Sequence, residues 1–367
     1  MKDNTMNHNY CIIMAGGVGT RFWPMSRTAR PKQFIDILGT GQTLIQQTYN
    51  RFMGICPPEN VFVVTHELYK DLVLEQLPEL KEEQVLLEPF RRNTAPCIAY
   101  AAYKILDKDP EAKLVVAPSD HLILKEDVFQ DKITTALKAA SENSWLVTLG
   151  IKPSRPDTGY GYIQFDRMTG DDRYAGLRKV KTFTEKPGYE LAVTFLESGE
   201  FLWNSGIFIW SMKSIIKAFD DHLPEVGELF RKGTGKYFTT EENEFIKNTY
   251  SVCKSISVDY GIMEKAGNVF VIESDFGWSD LGTWGSLHEL RQKDDKRNAI
   301  TGKNVLAYDT INSIIVMPDD KLVVLQGLDN YIVVEDEDTL LVCRKEDEQQ
   351  LRQIVNDVRM QKGEEYI

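Results

Sequence analysis

The residues best suited to chemistry stand together near the start of the chain. Gly16-Gly17-Val18-Gly19-Thr20-Arg21 follows directly on an apolar run at 10–15. Glycines there permit positive φ and let backbone N–H groups come close to an anion. Two common phosphate motifs do not fit. A dinucleotide fingerprint needs glycine where Phe22 stands, and a P-loop needs a G-x-x-x-x-G-K-[ST] run that the sequence lacks. The surroundings carry more weight than the glycines. Between Asn4 and Ile35 there is no acidic residue, whereas Arg21, Arg27, Arg30 and Lys32 bring four positive charges. Guanidinium forks take phosphate oxygens two at a time, and a lysine adds a mobile point charge. Pro24 and Pro31 stiffen the segment that carries them. A polyphosphate cradle is favoured over a plain tight turn.

Such a cradle needs a scaffold. Short apolar runs at 10–15, 61–65, 84–87, 114–117 and 145–149 read as strands buried on both faces. The stripe Phe129, Ile133, Leu137 and Ala140 marks a helix among them. Strands alternating with helices build βαβ units, so an α/β fold with a mostly parallel sheet is expected over 8–150. Asp120 then falls at the carboxyl end of a strand, where open α/β sheets bind ligands. From 150 to 297 strands are expected at 174–184, 202–211 and 269–273, with another after Gly159-Tyr160-Gly161-Tyr162, so the sheet gains a mixed edge. The charged run Asp294-Asp295-Lys296-Arg297-Asn298 marks the domain boundary. Beyond it, β runs at 305–308, 313–316, 322–325, 331–334 and 340–343 start eight or nine residues apart. That spacing suits a small all-β module or a few β-helix coils, although no hexapeptide repeat is legible. A helix with Leu351, Ile354, Val355 and Val358 follows. The expected division is 1–297 and 298–367.

Composition narrows the class. The 367 residues include 55 acidic and 43 basic side chains, a net charge of −12, which argues against a surface built to coat nucleic acid. The apolar stretches are too short to cross a bilayer, and MKDNTMNHNY has no apolar signal core, so neither membrane insertion nor export is expected. The five cysteines, at 11, 56, 97, 253 and 343, are too scattered for a zinc knuckle or redox pair. A reduced, cytoplasmic protein is expected.

The run GGVGTRFWPMSRTARPKQF (16–34) resembles the signature of the sugar-nucleotide pyrophosphorylases, and its FWPMSR and PKQF variants resemble the mannose-1-phosphate guanylyltransferases among them. Seven further segments match in order: LEPFRRNTAP (87–96), PSDH (118–121), TGYGYI (158–163), FTEKP (183–187), NSGIF (204–208), VDYGIMEK (258–265) and WSDLGTW (278–284). The resemblance implies a Rossmann-like, glycosyltransferase-A-like nucleotidyltransferase domain with a small C-terminal β-helix-like domain. It also implies the reaction of GTP with mannose 1-phosphate to give GDP-mannose and pyrophosphate, assisted by Mg²⁺, in a homodimer. Longer family members continue into a cupin-like isomerase domain; this sequence stops at Ile367, so the short, monofunctional form is expected.

Roles follow from the same resemblance. The amides of Gly16, Gly17 and Gly19 are expected to hold the triphosphate, Arg21 to stabilise the departing pyrophosphate, and Lys32 to sit over the reacting phosphates. Asp120 and Asp280 are similar to the family's paired metal aspartates, and two carboxylates suffice for Mg²⁺. Glu88, with Asn93 and Thr94 beside it, is implied to read guanine, whose N1–H and N2–H₂ a carboxylate can accept. Gly161, Glu185, Lys186 and Asn204 are implied on the sugar side, with Asp259 and Tyr260 in a further motif near the pocket. Arg27 reads equally as a phosphate contact or a structural ion pair. His121 reads as structural, Arg91 and Arg92 as solvated charges, and Trp203, Trp210, Trp278 and Trp284 as core. Two rivals stay open: a guanylyltransferase for another sugar phosphate, such as a heptose, and a non-catalytic regulatory subunit that binds GDP-mannose. The second should have lost some of Arg21, Lys32, Asp120 and Asp280, and all four are present.

Overall fold

The computed structural model describes residues 7–171 and 173–367. They form two compact units, neither continuous in sequence. The first comprises 7–16, Thr48–Ser119 and Ile123–Trp278; the second Gly17–Gln47, Asp120–Leu122 and Ser279–Ile367.

In chain order the strands that reach the end of the first unit are β1 (Asn9–Met14), β2 (Val61–His66), β3 (Val85–Glu88), β4 (Lys113–Pro118), the two-residue β5 (Leu122–Ile123), β6 (Leu146–Ile151), β7 (Gly161–Gly170), β8 (Leu177–Glu185), β9 (Phe201–Ser211) and β10 (Val269–Ser274). Among the described residues all but β5 join one nine-stranded sheet, ordered β3-β2-β1-β4-β9-β6-β10-β8-β7. β3, β2, β1 and β4 run parallel, as do β6 and β10, while β9 and β8 run against their neighbours. This is the expected mixed, mostly parallel sheet. Cys11, Ile12, Ile13, Val63, Val64, Leu114 and Val115 are fully buried, as strands covered on both faces must be. The helix Glu126–Glu142 buries the anticipated stripe of Phe129, Ile133, Leu137 and Ala140. The strand expected from 174 begins instead at Leu177. Tyr174 and Leu177 donate to the carbonyls of Asp171 and Tyr174, and Gly176 takes φ +82°, so the first three residues make a turn.

The two-residue β11 (Trp278–Ser279) falls across the end of the first unit's last segment, and the second unit then holds β12 (Ala299–Thr301), β13 (Val305–Tyr308), β14 (Ile314–Val316), β15 (Val323–Gln326), β16 (Tyr331–Asp336) and β17 (Thr339–Arg344). β12, β14 and β16 pair in parallel along one side, β13 and β15 along another, and β17 closes against β16 antiparallel. Parallel pairing of successive coils makes this a short β-helix. Alternate residues serve two cores. Ile315, Met317 and Val333 pack between the coils, whereas Ile314, Ile332 and Val334 join Phe22, Trp23, Leu281, Trp284 and Leu351 in a larger cluster. The segment carrying the glycine loop is thus packed on the β-helix by its own apolar residues. Among the described residues no helix is long and apolar enough to cross a membrane.

Candidate active site

The basic segment builds a cluster within the second unit. Gly19 adopts φ +61°, and a Cβ there would lie 2.6 Å from the Lys32 Cβ, so only glycine lets the loop close over Lys32. Gln33 Nε2 donates to the Gly17 carbonyl at 2.9 Å, and Ser26 Oγ to that of Gly19 at 2.5 Å. Both polar residues belong to the matched 16–34 run, and the sequence reading passed over them. These bonds occupy the carbonyls of Gly17 and Gly19.

Lys32 is buried. Its ammonium lies 2.6 Å from the Asp280 carbonyl oxygen, 2.9 Å from that of Leu281 and 3.0 Å from Asp120 Oδ2. An ammonium has three donors, and each has an acceptor here. Burial alone would raise the Asp120 carboxyl, but Lys32, His121 and hydrogen bonds outweigh it and hold the group below its ordinary value. Asp280 Oδ1 accepts the Gly282 amide at 3.0 Å, and Leu281 between them stands at φ +45°. A Cβ at Gly282 would meet Asp280 Oδ2 at 2.6 Å, so glycine keeps that carboxylate in place. Lys32, Asp120 and Asp280 are therefore brought together as one group. Arg21 lies half-buried on the turn Thr20–Phe22. Of the two readings of Arg27, the ion pair is formed: it reaches Asp338 at 2.6 Å and donates to the Asp336 carbonyl at 3.1 Å. Trp284 is fully buried against Phe22, as expected of core.

A second group lies in the first unit at the end of β3. Glu88 is 5% exposed, its Oε1 accepting the Tyr250 hydroxyl at 3.0 Å. A Cβ on Gly16 would come within 3.3 Å of Oε2, so the glycine leaves that oxygen its room. Burial pushes the Glu88 carboxyl up to about 7, while Tyr250 and Arg91 pull the other way. Asn93 caps the helix Thr94–Lys108 from φ +70°, accepting the Thr94 amide at 2.8 Å, and Thr94 Oγ1 accepts the Val258 amide at 2.9 Å. Tyr250, on the helix Glu242–Val252, was invisible in the sequence because it belongs to none of the matched segments. Arg91 is exposed, as a solvated charge should be, whereas Arg92 is half-buried, and both also make side-chain hydrogen bonds. Arg91 donates to the Tyr69 hydroxyl at 3.1 Å and Arg92 to the Tyr250 carbonyl at 3.1 Å, which braces the ring that holds Glu88.

A third group, also in the first unit, gathers the sugar-side residues. Gly161, first in β7, pairs with Glu185, last in β8. A Cβ at 161 would lie 2.5 Å from Glu185 Oε2 and 3.4 Å from the Asn204 Cβ. Lys186 reaches Glu185 Oε1 at 2.5 Å, and Asn204 Nδ2 donates to Asp259 Oδ1 at 2.7 Å. Burial and then the Glu185 charge push Asp259 up to about 6. Asp259 thus belongs with Gly161, Glu185, Lys186 and Asn204, whereas Tyr260 beside it is largely exposed.

Comparison with known proteins bears on the family and the fold. The family profile for nucleotidyl transferases matches residues 10–297, and that of the MannoseP isomerase/GMP-like beta-helix domain matches 303–358. A mannose-1-phosphate guanylyltransferase of Sinorhizobium fredii is 39% identical over 94% of this chain and 66% of its own length, so the chain spans just under two thirds of that relative. One from Klebsiella pneumoniae is 35% identical over 97% of this chain and 75% of its own. A Thermus thermophilus crystal structure, described as a mannose-1-phosphate geranyltransferase, superposes with a TM-score of 0.85 at 29% identity, covering 96% of this chain and all but 1% of that one. A Helicobacter pylori structure described as a mannose-6-phosphate isomerase gives 0.61 at 27% identity over 74% of this chain and 99% of that one. The α/β sheet and the β-helix agree with these matches: the chain belongs to the nucleotidyl transferase family, beside relatives named mannose-1-phosphate guanylyltransferases.

Proposed function

We propose that the protein forms GDP-mannose and pyrophosphate from GTP and mannose 1-phosphate. A phosphate oxygen of the sugar phosphate attacks the α-phosphorus. The bond from that phosphorus to the oxygen bridging the β-phosphate breaks, and pyrophosphate leaves with the electron pair. No group on the protein needs to bond covalently; the work is positioning and charge neutralisation. The observation that carries the reading is the buried Lys32 tied to both Asp120 and the Asp280 backbone, directly under Gly19.

The donor set suits Mg²⁺. Among the described residues no three His, Cys, Asp or Glu side chains converge, so no protein-only cage exists. Two aspartates, one held ionised by a lysine, are what a cation needs that completes its shell with water and phosphate oxygens. Asp120 and Asp280 would hold it, and it would supply Lewis-acid polarisation of the α-phosphate. Lys32 ties the Asp120 carboxylate to the Asp280 backbone and offsets phosphate charge. Arg21 and the amides of Gly16, Gly17 and Gly19 take the triphosphate. Glu88, set by Tyr250 and flanked by Asn93 and Thr94, accepts from guanine. Glu185 and Asn204 take sugar hydroxyls, Lys186 the 1-phosphate, and Gly161 leaves the space. On this reading 1–297 is the nucleotidyltransferase domain and 298–367 a β-helix-like companion, in a cytoplasmic homodimer.

The test is pyrophosphate release, with GTP or ATP crossed against mannose, glucose and heptose 1-phosphates, with and without Mg²⁺. Rapid, magnesium-dependent release with GTP and mannose 1-phosphate is expected. Release with another sugar phosphate alone would change the substrate. Tight GDP-mannose binding without release from any pair would make the protein a sensor.

A further inference from the structure

A cleft of about 280 Å³ opens in the first unit among β7, β8, β9 and the helix Tyr189–Ser198. Its apolar floor is Phe165, Leu196, Phe201 and Leu202. Lys152, Arg167 and Arg178 line it against one carboxylate, Glu273. In a protein of net charge −12, three cations against one carboxylate around one small cleft are out of keeping with the surface.

The two arginines are held in place without being neutralised. Arg167 Nη2 donates to the carbonyls of Ser198 at 3.3 Å and Gly199 at 2.9 Å, and Arg178 Nη1 donates to that of Leu177 at 2.8 Å. Neither these guanidiniums nor the Lys152 ammonium forms an ion pair among the described residues, so carbonyls aim the forks while their charge stays available. Glycines stand beside both guanidinium ends. A Cβ at Gly170 would strike Arg178 Nη1 at 2.5 Å, and one at Gly199 would lie 3.3 Å from Arg167 Nη2. Fixed forks take phosphate oxygens in pairs, and the floor below them favours an apolar body.

We propose that this cleft is a second ligand site, for a small phosphorylated molecule with an apolar or aromatic body. It is joined to the sugar-side residues by three shared strands. Arg178 is the second residue of β8 and Glu185 the last; Phe165 and Arg167 lie on the strand that Gly161 begins; Leu202 precedes Asn204 by two positions on β9. Arg178 and Glu185 are roughly 20–25 Å apart at about 3.3 Å per residue. Occupancy of the cleft stiffens this ribbon and changes the KM for the sugar phosphate several-fold, a consequence that rests on the proposed function; binding itself does not.

The probe is phenyl phosphate, titrated calorimetrically into the full-length protein saturated with GDP-mannose, with inorganic phosphate and phenol as partial mimics. Phenyl phosphate should bind at least tenfold more tightly than either mimic. The Arg167→Ala/Arg178→Ala variant should lose at least tenfold in affinity, and so should Leu196→Trp, which fills the cleft and keeps every charge. Equal binding by wild type and both variants, or competition by GDP-mannose, would overturn the site. An unchanged KM for mannose 1-phosphate with the probe bound would overturn the coupling, and inactivity with every sugar phosphate would leave the binding comparison intact while removing the proposed reaction.

Discussion

Glu88 has one oxygen bonded to Tyr250 and the other facing the backbone of Gly16, with a carboxyl pushed up to about 7 by burial. An acid whose folded value exceeds its unfolded one adds stability below the unfolded value and loses it as pH rises through the folded one. From about 4.5 to about 7, ionising Glu88 costs the free protein up to about 3 kcal/mol. Glu88→Gln should therefore gain stability relative to wild type between pH 5 and pH 8, read by denaturant melts at both; an equal difference at the two pH values would mean Glu88 does not titrate there. Its GTP-over-ATP preference should fall more than its turnover. Accepting from guanine requires the ionised form, so the wild-type KM for GTP should climb as pH drops below 7. The Tyr250 bond favours that form. Tyr250→Phe should move the climb to higher pH, and an unmoved profile would strip Tyr250 of its positioning role. Asp280→Asn should lower kcat by ~10²-fold or more with unchanged circular dichroism, since a metal-linked charge in a water-poor site is worth several kcal/mol. Near-normal turnover would remove Asp280 from the metal pair.

At the scale of elements, Gly161 and Glu185 face each other across β7 and β8 with no room for a methyl group. Gly161→Ala should raise the KM for the sugar phosphate about tenfold or more while that for GTP stays within twofold, because it displaces Glu185 and touches nothing at Glu88. Steady-state kinetics with each substrate varied in turn separates the two. The strands that bear these residues were legible where apolar runs are long: β1, β2, β4 and the β-helix rungs fall within a few residues of their expected places. The first rung, β12, and the two-residue β5 and β11 were not, since none lies in an apolar run as long as the Ile314-Ile315-Val316-Met317 that marks the short β14. Among site residues, Lys32, Asp120 and Asp280 could be named from the matched segments and do meet. The bonds that orient them could not. Tyr250, Gln33 and Ser26 act through a single hydroxyl or amide each, and a hydrogen bond between distant residues leaves no trace in spacing.

On the scale of the molecule, the glycine loop and the β-helix share one apolar core, in which Phe22 and Trp23 pack with Ile314, Ile332 and Leu351. Ile332→Ala should cost about 2–5 kcal/mol. Removing 298–367 should abolish turnover altogether, by stripping Phe22 and Trp23 of cover; a fully active 1–297 fragment would disprove that dependence. The order of synthesis adds a constraint of its own. Gly17–Gln47 leaves the ribosome well before Ser279–Ile367, with which it packs. At about 5–20 residues per second the early segment waits roughly ten seconds or longer with its aromatic side chains exposed. Closing so long a loop also makes this unit slow to form compared with the locally paired β-helix coils. The nascent chain thus cannot cover Phe22 and Trp23 until Ser279–Ile367 has been made, and during that interval Gly17–Gln47 is the stretch a chaperone would find.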